Sequence, residues 1–149
     1  MFKVKDKILV ELDIPTISGL TYPKEVAIDM IKKITDQRIY GVMVDVEEPL
    51  EEVYQQLIKD KETFCWIENA RVIVDETEEP ALLLLICDVV FDDDKMPKET
   101  VEKLNKVNWR LNIVGSGEVD ENKIVKNYDL MYFNIENVDE LYYNNKEGE

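Results

Sequence analysis

Apolar and polar residues alternate at the start of the chain, with Phe2, Val4, Ile8, Val10 and Leu12 on the apolar side. Such alternation predicts a half-buried strand. Turn material follows in "PTISGLTYP". In "PKEVAIDMIKKITDQ" the period changes. Val26, Ala27, Met30, Ile31 and Ile34 form one stripe at helical spacing, with Thr21 as the expected N-cap and Lys32 and Lys33 near the C-terminal end. A strand, "RIYGVMVDV", precedes a second amphipathic stretch, "EEPLEEVYQQLIKDKE", in which Leu50, Val53, Tyr54 and Leu57 share a helical face. "TFCWIENARVIVDE" reads as a strand and "TEEP" as a turn. "ALLLLICDVVFDD" is apolar on both faces and reads as a well-covered strand. A third helix is expected in "MPKETVEKLNKV", with Val101, Leu104 and Val107 on one side. "NWRLNIVGSGEV" and "IVKNYDLMYFNIE", joined by "DENK", read as a hairpin. In its second strand, Tyr128, Leu130, Tyr132 and Asn134 share one face. Met131, Phe133 and Ile135 on the other are expected to pack the core. The succession β-α-β-α-β-β-α-β-β predicts an α+β fold: a mostly antiparallel sheet or barrel of about six strands with three helices. One domain is expected over residues 1–143, with 144–149 a flexible polar tail.

Charge narrows the partners. The chain carries 33 acidic and 18 basic residues, a formal net charge of -15 over 149 residues. Nucleic acid is bound by neutralising its phosphates, so a field of this sign opposes it. The field favours a basic partner or simply confers solubility. No apolar run approaches the ~20 residues needed to cross a bilayer, and the longest is interrupted by Asp88. "MFKVKDK" lacks the apolar segment of a secretion signal, so a cytosolic protein is expected. Histidine is absent. The usual general base, the usual partner of a Ser or Cys nucleophile and the commonest zinc ligand are missing with it. Cys65 and Cys87 lie in apolar strands and read as buried thiols; a disulfide would require neighbouring strands to bring them together.

The remaining motifs have conformational readings. "FDDDK" (91–95) lacks the alternate ligands and glycine of a calcium loop and reads as a solvated turn. "DVEEPLEE" (45–52) reads as acidic residues favouring a helix N-terminus. No metal and no cofactor are expected. "GSG" at 115–117 has neither the further glycines and Lys-Ser/Thr of a phosphate loop nor the spacing and base of a nucleophile elbow. Gly115 and Gly117 therefore read as a bulge or close backbone approach. Tyr132, Leu141, Tyr142 and Tyr143 form a late cluster where a protein partner would dock.

The order of "GLTYPKEV", "IYGVMVDVEEP", "FCWIENARVIVD", "LLLICDVVFDDDKMP" and "RLNIVGSGEVDENKIVKNYDLMYFNIE" resembles that of the prohead (capsid maturation) serine proteases of tailed phages of the T4 kind, whose fold is similar to the herpesvirus assemblins. The resemblance runs from about residue 19 to 137. It implies an assemblin-like fold in which Asp45 and Cys65 stand where the family has histidines, and Asn112 where it has the nucleophilic serine. Gly115 and Gly117 would then be what remains of the family's turn. A nucleophile and its base are needed together, so the resemblance implies a catalytically inactive relative. Such a protein would act in head assembly by binding a capsid or scaffold protein, or itself, in the host cytoplasm or the virion. The alternative is a small acidic phage inhibitor, an anti-defence protein that occupies a basic groove of a host protein.

Overall fold

A computed structural model of the chain describes residues 1–43, 65–96 and 109–137, together with residues 98, 101, 102 and 104. Its elements are β1 (Phe2–Leu12), α1 (Lys24–Asp36), β2 (Ile39–Met43), β3 (Cys65–Asp75), β4 (Leu82–Phe91), a 3-10 turn at Asp93–Lys95, β5 (Trp109–Val119) and β6 (Val125–Asn137). The strands form one sheet in the order β1-β4-β3-β2-β6-β5. Neighbours are antiparallel except β2 and β6, which run parallel. The sheet curls into a half-barrel.

This corrects the expected fold class. The described residues are mostly β, with one α-helix, and do not form a three-helix α+β, assemblin-like protease fold. The second expected helix lies outside the described residues. Of the third, residues 98, 101, 102 and 104 have helical backbone, and Leu104 is buried. The architecture is carried by strands of 10 to 13 residues, β2 excepted. Strands that long twist, and the bulges in them add curl.

Those bulges also explain where the alternation misleads. In β1 the register with β4 slips between Val4 and Lys7 and again between Ile8 and Val10. Phe2, Val4, Val10 and Leu12 pack inward, while Ile8 is left 46% exposed. In β6 Val114 faces Tyr132 but Gly115 faces Leu130, so Met131 is the extra residue. Before it Tyr128 and Leu130 pack against the core; after it Phe133 and Ile135 do. Met131, expected inside, is 46% exposed.

The core fills the concave side. One inward row crosses five strands, from Phe91 through Cys65, Gly41 and Phe133 to Ile113. Gly41 is required there, because a Cβ would lie 2.2 Å from the Phe133 ring. α1 closes part of the open side with Val26, Ala27, Met30 and Ile34, and Lys33 pairs with Asp129 of β6. The helix begins without a side-chain N-cap of its own. Thr21, the expected cap, is instead tied by its backbone to Lys123 and Val125, and Asp13 Oδ1 accepts the Lys24 N–H at 3.3 Å. The two sheet edges meet where Lys7 Nζ donates to the Trp109 carbonyl at 2.8 Å and lies 3.9 Å from the Trp109 ring. Beside this contact Phe2 stacks on Phe91, and Phe91 meets Trp109 edge to face.

Gly41→Ala should overpack the core and cost about 1–3 kcal/mol. Urea denaturation measures this, and Phe133→Leu in the same chain should recover part of the loss. Unchanged stability in Gly41→Ala would contradict the packing described.

Candidate functional site

Among the described residues, the positions singled out by the resemblance do not converge. Asp45, Leu141, Tyr142 and Tyr143 lie outside the described residues. Cys65 faces the interior and is fully buried. Asn112 is exposed on the convex side of β5, opposite Asn134 of β6, and donates to Glu136 Oε1 at 3.1 Å. The sheet itself separates Cys65 from Asn112, so the two cannot serve one reaction. Gly115 sits at the β6 bulge, where a Cβ would lie 2.2 Å from the Asp129 carbonyl oxygen; at Gly117 it would lie 2.1 Å from that of Asn127. Both glycines let two backbones approach. Tyr132 is buried on the convex face. Burial pushes the thiols of Cys65 and Cys87 up to about 12, and both are free.

A polar cluster that the motifs did not single out lies on the convex face of β4. Asp88 is 4% exposed. Both neighbouring strands bulge beside it, and each places one residue at positive φ, Asp6 at 62° and Asn69 at 54°. Asp88 Oδ1 accepts the Asp6 N–H at 3.2 Å and Arg71 Nη1 at 3.4 Å, and Oδ2 accepts Asn69 Nδ2 at 3.1 Å. Arg71 also pairs with Asp6 and donates to the Asn69 carbonyl at 2.7 Å. Burial, the largest single influence, pushes the Asp88 carboxyl up. The donors from Asn69, Asp6 and Arg71 together hold it below the usual carboxylate range. A carboxylate held ionised by three donors locks bulges in place and makes a poor proton acceptor. The signal in the sequence is a lone aspartate inside "LLLLICDVVF". Among the described residues, no group of three or more His, Cys, Asp or Glu side chains could hold a metal ion.

Among the described residues, one group of acidic side chains lies at one end of the half-barrel. Leu12 pairs with Leu83, which sets the end of β1 beside the β3–β4 turn. Thr21 bridges to Ile124, which sets the 13–22 loop beside the β5–β6 turn. These three loops form one rim. The first carries Asp13, with Glu11 just before it on β1; the second carries Glu76, Glu78 and Glu79 after Asp75 at the end of β3; the third carries Asp120 and Glu121 after Glu118 on β5. Their basic neighbours are Lys24, Lys123 and Lys126. The turns are internally bonded. Asp75 Oδ1 accepts the Thr77 N–H at 3.0 Å, and Asp120 Oδ1 accepts those of Asn122 at 2.8 Å and Ile124 at 3.0 Å. The Thr77 hydroxyl holds Asp75, and the Ile124 N–H holds Asp120, below the usual carboxylate range. Asp75 and Asp120 therefore stay charged into mild acid. The sequence disclosed the acids, but only the pairing of β1 with β4 and of Thr21 with Ile124 puts them together.

Neither the protein-family models, the curated proteins nor the solved structures contain a match to this chain.

Asp88→Asn should replace an acceptor by an amide donor aimed at Asn69 or Arg71 and destabilise the fold by about 2 kcal/mol. The pH dependence follows from the direction of the shift. A carboxyl whose folded value lies below its unfolded value of about 3.9 stabilises the fold above about pH 4 and loses that contribution as the pH falls through the folded value. Denaturant midpoints measured from pH 7 downward should show this loss in the native chain and a smaller one in Asp88→Asn. Separately, Ellman's reagent at pH 8 should titrate neither cysteine in the folded chain and both in denaturant, since thiolates react and thiols do not.

Proposed function

We propose that the protein acts by binding a basic surface of another protein through its acidic rim, without chemistry of its own. The observation that carries this reading is the convergence of three acidic loops at one end of the half-barrel. A concentrated negative field steers a positive partner and discriminates against others. A formal net charge of -15 works in the same direction over longer range. Of the two roles expected from the sequence, the acidic inhibitor of a host protein fits this surface better. The head-assembly role leaned on an assemblin-like fold, and the mixed half-barrel removes that support. Among the described residues, no helix is long and apolar enough to cross a membrane.

Immobilised protein should capture basic proteins from a bacterial lysate. Capture should fall steeply between about 0.1 M and about 1 M salt, as the screening length shrinks from about 10 Å to about 3 Å. A chain carrying Glu76→Gln, Glu78→Gln, Glu79→Gln and Glu121→Gln should capture less at low salt. Capture insensitive to both salt and these substitutions would sink the reading.

A further inference from the structure

The 13–22 loop holds a feature that charge does not explain. Ile17 is 90% exposed. It stands at the tip of a small hairpin in which Pro15 pairs with Thr21. The Thr16 N–H and hydroxyl both donate to the Leu20 carbonyl at 2.9 Å, and the Gly19 N–H donates to the Thr16 carbonyl at 2.9 Å. Gly19 takes φ +85°, a conformation that glycine adopts without strain. The base of the hairpin is fastened to the rest of the rim. The Asp13 N–H donates to the Tyr22 carbonyl, the Thr21 N–H to that of Lys123 and the Val125 N–H to that of Thr21, each at 2.9 Å.

A single exposed aliphatic side chain is ordinary on a protein surface. Ile17 differs in its support and in its company. Its backbone is bonded into one shape, so little ordering remains to be done when it is buried against a partner. Two more aliphatic residues are exposed on the same rim, Val74 at 56% and Val119 at 46%. Each adjoins carboxylates. Val74 precedes Asp75, and Val119 lies between Glu118 and Asp120. The rim thus interleaves acids with apolar side chains.

We infer that the Ile17 hairpin is a preformed apolar anchor, and that the rim takes a cationic amphipathic segment of a protein partner, one in which lysines or arginines alternate with large apolar residues. Its basic groups would face the three acidic loops while an apolar residue packs on Ile17, with Val74 and Val119 extending the contact. This inference rests on the rim as the binding face and adds the chemistry of what binds there. A few side chains buried against the partner carry most of the binding energy of an interface.

Two peptides of equal length and equal lysine count test it. One alternates lysine with leucine, the other lysine with serine. Binding is measured by fluorescence anisotropy to the full chain, to Ile17→Ser, and to the rim variant with its four Glu→Gln changes. The lysine–leucine peptide should bind the native chain about tenfold more tightly, the worth of burying one exposed aliphatic side chain. Ile17→Ser should erase that preference while leaving the lysine–serine peptide unaffected. Met131→Gln, on the β6 bulge away from the rim, should change neither. Equal binding of the two peptides to the native chain overturns the anchor, as does a preference that survives Ile17→Ser. In either case, weaker lysine–serine binding to the rim variant would leave the acidic-rim reading standing. If neither peptide binds, the rim reading falls and the anchor with it.

Discussion

Asp88 stands in a strand whose other residues from Leu84 to Phe91 are apolar, and both neighbouring strands bend around it. β1 and β3 each insert one extra residue there, and the carboxylate receives donors from both. A bulge sharpens the twist of a strand and bends it. Two bulges on either side of one carboxylate bend the sheet from both flanks at the same level. Desolvating Asp88 costs free energy, which the Asn69, Asp6 and Arg71 donors offset. Without them the carboxylate would be a buried, unpaired charge.

The rest of the molecule follows from that curvature. A flat sheet in the order β1-β4-β3-β2-β6-β5 would hold its edge strands far apart. Curled, it lets Lys7 of β1 reach the carbonyl and ring of Trp109 on β5. The same curl brings the 13–22 loop into contact with the β5–β6 turn. The acidic rim is thus a product of curvature, since the loops that compose it are far apart in sequence. The convex face contributes differently. Away from Asp88, its ion pairs are Lys3 with Glu68, both exposed, and Arg110 with the half-buried Glu136. They add little to stability, as exposed pairs generally do.

Much of the local structure was legible. Alternation marked the stretches that become β1 and β6, those that become β2, β3 and β5 also read as strands, continuous apolarity marked β4, and a helical stripe marked α1. Within strands the reading failed wherever a bulge intervened. Ile8 and Met131 hold apolar positions in a period-two count and nevertheless face outward. One inserted residue reverses the side on which every later residue points, and nothing in "FKVKDKILVEL" or "VKNYDLMYFNIEN" announces where the insertion falls. The cap of α1 was misplaced for a related reason. Thr21 has the right chemistry, but its backbone is engaged by Lys123 and Val125, and Asp13 serves the helix from across the loop.

The sequence by itself marked the six strands and α1, because the period of apolar residues is local. It determined the excess of acid and the absence of histidine, because those are counts. It also showed that Asp88 was out of place in an apolar strand. Fold class and site were decided only by tertiary pairing. The parallel register of β2 with β6, the bulges beside Asp88 and the bridge from Thr21 to Ile124 join segments distant along the chain. They set Cys65 and Asn112 on opposite faces of the sheet and gathered Ile17 and the acidic loops on one rim. Pairings of that kind depend on shape and register summed over the whole sheet, and no single stretch of sequence carries them.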